Sequence, residues 1–451
     1  MSKFRKSRHA DQGMRAVGAL ALLSLMAGCE RTQPDAAEQE QEQEQEQPSD
    51  APAEADGKLV LHWNTIASEV ALAADAKYED PFLHLRALTM MHLAMHDAAN
   101  GAFAKYERFA LRTTDERAEP AAAAAAAAHA VLRSLYPRQG DLIDERLSEV
   151  LANTPIGAAH DRGVALGKGA AEAVLSQRST DRADATEPYT PRDEPGKHRF
   201  VPPFELVYRP AWRNVEPFAL DSGDQFRSSP PPALDTTEYA TAYEEVRSYG
   251  RATDSTRTEE QTFYADFWYE LSEIGWNRIT RITWAEQSER DLWFTARLFA
   301  LVNVGLMDAY IAGWDSKMHY DFWRPYSAIR AGATDHNDAT PEEADWQPYC
   351  VTPPVQDYPS THSALGAAAA EILHGVYGRD IPFTMESTST KPAGKQRSVV
   401  SFEQAALENA DSRVACGIHF RFATQAGLQL GKHIGDHVLD TLLAPRQPSP
   451  G

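Results

Sequence analysis

Three short segments of this 451-residue chain carry the pattern that decides its fold and chemistry. Residues 317–325 read KMHYDFWRP, residues 359–362 read PSTH, and residues 412–419 read SRVACGIH. Brought together, they supply three cations, a serine hydroxyl, a helix start and two imidazoles, which fits a phosphate or vanadate anion. The residues predicted to bind this oxyanion are Lys317, Arg324, Ser360, Thr361, Arg413 and His419, and those predicted to be catalytic are His362 and His419.

The first two segments are expected to present their donors from helices. Lys317 and Arg324 are seven residues apart, so two turns would place both on one face of a helix that kinks or ends at Pro325. Pro359 suits the first position of the next helix. The unpaired backbone N–H groups of that helix start, together with the Ser360 hydroxyl, would then face an anion.

The third segment is expected to bend between its two functional residues. Arg413 and His419 are six residues apart and do not share a helix face, so a bend at Cys416–Gly417 is predicted, with His419 on the following helix. Arg413 can grip an oxyanion with two N–H groups. His419 can bond to the central atom of the anion, and His362 can serve as a general acid or base.

The composition limits the class of partner. The chain is 43% hydrophobic and 24% charged, which is typical of a soluble protein with room for several helical layers. Its net charge of −21 argues against a broad nucleic-acid surface, so a nucleic-acid partner is not expected. A cluster of cations in such an acidic chain is more typical of a small-molecule site.

Residues 1–28 are predicted to be a lipoprotein signal peptide. A basic start is followed by a short apolar run, Ala16–Gly28, which leads into LMAGC. That ending resembles a bacterial lipobox and would make Cys29 the lipidated first residue. Glu30 follows, not the Asp typical of inner-membrane retention, so we expect a periplasm-facing lipoprotein of the outer membrane with no other membrane contact. An ordinary secretory signal cleaved nearby is the alternative.

The rest of the chain divides into a linker and one domain. Residues 29–58 are predicted to be a disordered acidic linker, because Gln and Glu alternate from Glu38 to Gln47 without any apolar period. Residues 59–451 are predicted to form one all-α domain, with the oxyanion site mostly within 308–443. Helical spacing of apolar residues predicts helices over 81–100, 119–136, 139–153, 156–177, 236–249, 258–268, 284–312, 316–330, 359–377, 401–408 and 418–443. No strand alternation of useful length occurs.

The segment 179–235 interrupts this helical pattern with many prolines. It is too long for an ordinary connection, so it is predicted to be an ordered excursion over the helices. A structural strap is the favoured interpretation, and an access lid is the alternative.

Cys350 and Cys416 both flank the predicted site. In an oxidising compartment, either a Cys350–Cys416 disulfide or two buried thiols would fit.

The ordered motifs resemble the signature of the superfamily of vanadium-dependent haloperoxidases and type 2 phosphatidic acid phosphatases, K-x6-RP, PSGH and SR-x3-G-x-H. The stretch Asp308–Arg330 looks like the helix pair of the haloperoxidase branch, with Trp314 three residues before Lys317. The resemblance covers most of residues 59–443. It implies an all-α helical bundle assembly of the vanadium haloperoxidase and acid phosphatase type, and vanadate as the cofactor.

The resemblance also implies a role for each motif residue. The three cations would neutralise the oxyanion, and Ser360 and the Thr361 backbone N–H would bond its oxygens. His419 would be the ligand to vanadium, and His362 would handle the proton of hydrogen peroxide, whose partner substrate would be a halide. Trp314 and Val355 fall where the halide pocket is expected. No oligomeric state is predicted.

Three positions depart from the family pattern. Thr361 replaces a glycine, Val355 stands where Phe or His is common, and Ala423 stands four residues after His419, where the family usually places an Asp. Two alternatives therefore stay open. One is a phosphatase for phosphomonoesters or lipid phosphates, with His419 as the nucleophile and no cofactor, and the other is a non-catalytic phosphate-binding lipoprotein.

Overall fold

The computed structural model describes residues 56–74, 80–152, 155–391 and 394–447. The predicted signal peptide, the lipidation of Cys29 and nearly all of the predicted linker lie outside the described residues, and they stay predictions. Where the description begins, the Gly57 backbone N–H already donates to Arg290 O at 2.9 Å. The chain is therefore held against the domain just before its first helix.

Thirteen α-helices and one β-hairpin make up the described residues, which confirms the predicted all-α class. The amino-terminal helices are α1 (Lys58–Ala73), α2 (Pro81–Ala102), α3 (Pro120–Leu135), α4 (Gly140–Leu151) and α5 (Ala158–Gln177). Next come α6 (Thr237–Tyr249), α7 (Glu259–Phe267), α8 (Ser272–Ala285), α9 (Leu292–Tyr320) and α10 (Pro325–Arg330). The last part contains α11 (Thr361–Tyr377), the antiparallel strands β1 (Phe383–Glu386) and β2 (Gln396–Val399), α12 (Phe402–Ala415) and α13 (Arg421–Thr441).

The 29-residue helix α9 is the centre of the packing. It contacts α2, which packs with α3 and α5, and it also contacts α11, which packs with α12 and α13. Among the described residues, α9 is the one helix long and apolar enough to cross a membrane, but 94% of its most apolar window is buried inside the protein. Such burial is typical of the core helix of a globular protein.

The helices predicted over 284–312 and 316–330 are wrong in their boundaries. The polar run 286–290 offers no apolar face, so α8 ends at Ala285, and Asp291 starts α9 by accepting the Phe294 N–H at 2.8 Å. At the other end, Asp321 takes a left-handed conformation with φ 53° and stops α9. The hairpin was also not predicted, because its strands are only four residues long.

The strap, residues 179–235, contains no α-helix and one short 3-10 helix, Pro210–Asn214. Several hydrogen bonds fasten it along α9 and to Asp321, the residue that follows α9. The Asp308 carboxylate accepts three consecutive backbone N–H groups of the strap at 2.7–3.1 Å, and the His198 N–H donates to Asp321 O at 3.0 Å. These contacts support the interpretation of the segment as a strap over the helices.

The turn between α12 and α13 requires a glycine. Gly417 has φ 76°, and a Cβ there would lie 2.1 Å from Gly250 O. Gly417→Ala should therefore lower the free energy of unfolding by about 1–3 kcal/mol or more, measured by denaturant titration. In the matched control Gly169→Ala, on α5, a Cβ would meet no atom within 4 Å, so stability should rise by up to about 1 kcal/mol. Equal effects of the two changes would contradict this explanation.

Glu273 on α8 should make stability depend on pH. Burial raises the pKa of its carboxyl from 4.5 to about 7, although the Tyr310 O–H donates to it at 3.2 Å. The folded protein therefore holds this proton more tightly than the unfolded chain, and stability falls as pH rises from about 4.5 to about 7. Glu273→Gln should match the wild type at pH 4 and exceed its free energy of unfolding by about 3 kcal/mol at pH 8. Identical pH profiles would contradict the assignment.

Candidate active site

The structure brings the three motif segments together in one buried region. Lys317 comes from the end of α9, Arg324 from the turn before α10, and Arg413 from the last turn of α12. We use the name cradle for these three residues together with Ser360, Thr361, His362 and His419. All but His362 are at most 6% exposed, and His362 is partly buried.

Lys317 and Arg324 do not share a helix face, contrary to the prediction. Arg324 lies outside α9 and occupies the N-cap position of α10, with Pro325 as the first helical residue. The non-helical turn 321–323 returns the chain toward Lys317. The K-x6-R-P spacing therefore encodes a helix, a turn and a new helix start.

Backbone carbonyls hold all three cations. Lys317 Nζ donates to two of them at 2.6 and 3.1 Å, Arg324 to two at 2.6 Å each, and Arg413 to one at 3.1 Å. Burial lowers the pKa of Lys317 well below its usual range and the pKa of each arginine to about 10. Such a cluster favours an anion, because an anion restores the charged state of each group. The accepting carbonyls belong to Gln356, Asp357, Val355, Ile418 and Trp268.

His419 presents a lone pair to the cations. Its Nε2 lies 2.9 Å from Arg324 Nη1, and since a guanidinium only donates, Nε2 must accept. The proton therefore belongs to Nδ1, which lies 2.9 Å from Asp357 Oδ1 in a contact that is not aligned as a hydrogen bond. Burial, followed by Arg324 and Lys317, lowers the pKa of His419 well below its usual range, so the ring is neutral near pH 7.

His362 has the opposite tautomer. Its Nε2 lies 2.9 Å from Glu270 O, a carbonyl that can only accept, so Nε2 carries the proton and Nδ1 carries the lone pair. Burial and then Arg413 lower the pKa of His362 well below its usual range. The cradle therefore holds two neutral imidazoles, each with a defined lone pair.

The start of α11 differs by two residues from the prediction. Ser360, not Pro359, is the boundary residue, and its Oγ accepts from Ser363 Oγ at 2.9 Å. Thr361 is then the first helical residue, with its N–H at the helix start. A Cβ on Gly313 of α9 would lie 3.1 Å from Thr361 Cγ2. The missing side chain at 313 therefore makes room for the threonine that replaces the family glycine.

His419 lies between two helices and not on the second one as predicted. The chain leaves α12 at Cys416, and α13 begins only at Arg421. The structure joins Cys416 to Cys350 in a disulfide, and the Cys350 N–H donates to Cys416 O at 3.0 Å. This cross-link ties down the turn that leads to His419.

The two residues predicted for a halide pocket have other contacts. The Trp314 indole N–H donates to Tyr208 O of the strap at 3.1 Å, and its ring packs edge-on against Phe82 at 4.6 Å. Val355 is 4% exposed, and its carbonyl accepts from Arg324. The halide pocket stays a prediction.

Two residues near the cradle were missed from the sequence. Asp357 is fully buried, and burial raises the pKa of its carboxyl to about 7 against the lowering effects of Arg324 and Lys317. Its position three residues before Ser360 was a usable signal. His198 of the strap is also buried, and burial, then Arg324 and Lys317, lower its pKa to about 3. Nothing in the sequence around His198 indicated this position.

The donor set fits a tetrahedral oxyanion. Arg413 Nε is buried and has no hydrogen-bond partner among the described residues. Leaving such a donor unpaired costs about 1–3 kcal/mol, which an anion oxygen would recover. The cations, the helix start and the His419 lone pair supply the remaining contacts that phosphate or vanadate requires.

Comparison with known proteins agrees with this geometry. Residues 297–447 match the family described as the VCPO second helical-bundle domain. The chain is 27% identical over 497 aligned positions to the vanadium chloroperoxidase of Curvularia inaequalis, covering 83% of this chain and 80% of that protein.

Solved structures share the fold. A bacterial vanadium-dependent iodoperoxidase aligns with a TM-score of 0.76 and 23% identity, covering 89% of this chain and 100% of that one. A bacterial vanadium-dependent chloroperoxidase in its holo form aligns with a TM-score of 0.63 and 18% identity, covering 80% of this chain and 91% of that one. The chain is therefore similar over most of its length to vanadium haloperoxidases, and its carboxyl-terminal third matches their second helical-bundle domain, which agrees with the resemblance of the motifs.

Proposed function

We propose that this protein is a vanadate-dependent haloperoxidase that oxidises a halide with hydrogen peroxide. The observation that carries the proposal is the position of two imidazoles beside three buried cations, with His419 Nε2 2.9 Å from Arg324 Nη1 and His362 Nε2 2.9 Å from Glu270 O, which leaves a lone pair at His419 Nε2 and at His362 Nδ1. One lone pair suits a metal ligand, and the other suits a base. The relatives named as chloroperoxidase and iodoperoxidase support the same chemistry.

Each cradle residue has a defined task in this reaction. Vanadate, when bound, supplies a redox-inert Lewis acid that activates hydrogen peroxide toward a halide. His419 would hold it through Nε2, while the cations balance its charge. His362 accepts the peroxide proton at Nδ1 and keeps its own Nε2 proton on Glu270 O.

A phosphatase is the second candidate, and Asp357 is the observation that favours it. A carboxylate 2.9 Å from Nδ1 of a histidine is the arrangement that activates a nucleophilic imidazole. In that reaction His419 Nε2 would attack phosphorus, and His362 would have to donate a proton to the leaving group. His362 is neutral in the cradle, which suits proton uptake better.

The location of the enzyme is part of the proposal. A lipid on Cys29 would hold the domain at the periplasmic side of the outer membrane, where peroxide and halides enter from outside. The Cys350–Cys416 disulfide supports an oxidising compartment.

A paired assay tests the reaction. After incubation with vanadate, the protein should oxidise iodide or bromide in the presence of hydrogen peroxide, and without vanadate it should not hydrolyse an aryl phosphate. His419→Ala should abolish halide oxidation, because it removes the ligand to vanadium. His433→Ala is the matched control, since this exposed histidine of α13 lies outside the cradle.

The outcomes separate the three candidates. Phosphate hydrolysis that vanadate inhibits, without halide oxidation, would replace the peroxidase by the phosphatase. Binding of phosphate with neither activity would indicate the non-catalytic lipoprotein. Unchanged activity in His419→Ala would reject the assignment of the site.

Arg413 tests the role of the cations separately. Arg413→Ala should weaken binding of inorganic vanadate by about 10- to 100-fold, measured by calorimetry, because it removes a buried charge-assisted hydrogen bond worth about 1.5–3 kcal/mol. Arg421→Ala is the control, because Arg421 is only partly buried and pairs outside the cradle with Glu245 at 2.7 Å. If both variants bound vanadate like the wild type, Arg413 would not contact the anion.

A further inference from the structure

We propose that Asp357 is the positioning residue that orients His419, in place of the Asp that the family usually carries where this chain has Ala423. The inference rests on the oxyanion site proposed above and adds a residue to it. Asp357 Oδ1 lies 2.9 Å from His419 Nδ1 and 3.9 Å from Arg324 Nη1, and its side chain is fully buried. Ala423 is also buried and has no polar side chain to offer.

The backbone fixes Asp357 from two sides. Its N–H donates to Phe322 O at 3.0 Å, and its carbonyl accepts from Lys317 Nζ at 3.1 Å. The carboxylate therefore extends from a main chain that is itself bound to the turn between α9 and α10. A carboxylate held in this way can orient the His419 imidazole that it contacts.

The His419 ring depends on a neighbouring side chain for its orientation. It lies in the connection between α12 and α13, so no helix holds its backbone. Arg324 selects the lone pair at Nε2, and the Asp357 carboxylate, 2.9 Å from Nδ1, stabilises the proton on Nδ1 by its charge. The two contacts together favour the ring orientation in which Nε2 faces the cations.

The carboxylate also has an opposing effect on anion binding. In its ionised form, the Asp357 carboxylate beside Arg324 repels any oxyanion in the cradle, so Asp357→Ala would strengthen binding that depends on charge alone. Binding of an anion that bonds to His419 Nε2 would instead weaken in Asp357→Ala, because the lone pair at Nε2 would no longer be held toward the anion. The two roles of Asp357 therefore predict changes of opposite sign for two different anions.

Vanadate and phosphate provide the two probes. Both are tetrahedral oxyanions, but only vanadate is expected to bond to His419 Nε2. In Asp357→Ala, the dissociation constant for inorganic vanadate should rise by about 10- to 100-fold, while that for inorganic phosphate should stay constant or fall. The ratio of the two constants, measured by calorimetry, is the quantity that reports positioning.

A double-mutant cycle assigns the effect to His419. His419→Ala should reduce the preference for vanadate as Asp357→Ala does, and the double variant should show no further loss, because the two residues act through one bond. Asp335→Asn is the matched control: this buried aspartate accepts from Thr340 Oγ1 at 2.8 Å and does not belong to the cradle. Parallel shifts for both anions in Asp357→Ala would overturn the proposal and leave only a charge effect.

A second measurement needs no ligand. In protein labelled with 15N-histidine, the His419 ring signals, identified by their loss in His419→Gln, should be sharp in the wild type. In Asp357→Ala they should be broadened by exchange between ring orientations, because Arg324 alone then holds the ring. Equally sharp signals in both proteins would overturn the proposal even if the protein failed to bind vanadate. A wild type that binds neither anion, but whose His419 signals broaden in Asp357→Ala, would reject the proposed function and keep the positioning role.

Discussion

The Arg324 guanidinium is the group on which the rest of the site depends. It donates to Val355 O and Ile418 O at 2.6 Å each and reaches His419 Nε2 at 2.9 Å, so it joins three separate stretches of chain. A carbonyl outside the helices has no helical N–H to accept from, so its lone pairs are open to the guanidinium. Val355 precedes α11, and Ile418 and His419 lie between α12 and α13, so the partners of Arg324 all come from connections between helices.

The sequence predicted the members of the cradle but not their arrangement. The spacing of Lys317 and Arg324 suited a single helix face, yet the left-handed residue Asp321 ends α9 and moves Arg324 onto the next element. The predicted start of α11 at Pro359 was wrong by two residues. The Ser360 side chain caps the helix by accepting the Ser363 N–H, so Thr361 is the first helical residue. Helical periodicity gave the fold class, since α9 and its neighbours are long and strongly apolar.

Long-range contacts lay beyond sequence reasoning. His198 reaches the neighbourhood of Lys317 only because strap residues 196–198 pair with residues 321–323, a contact across more than one hundred positions. The replacement of the family glycine by Thr361 also makes sense only beside Gly313, on a different helix. A motif position therefore has to be judged together with the residues that touch it in the fold.

The direction of proton transfer separates the two reactions that one cradle could run. A haloperoxidase needs a base to take a proton from peroxide, whereas a phosphatase needs an acid to give one to the leaving group. Burial and Arg413 lower the pKa of His362 well below its usual range. At neutral pH the ring is therefore in its neutral form, which can accept a proton, and not in its charged form, which can donate one. Glu270 O fixes the remaining proton on Nε2, which keeps the lone pair on Nδ1. Burial and Arg413 thus both favour the uncharged imidazole, which is the form that the proposed peroxidase reaction requires.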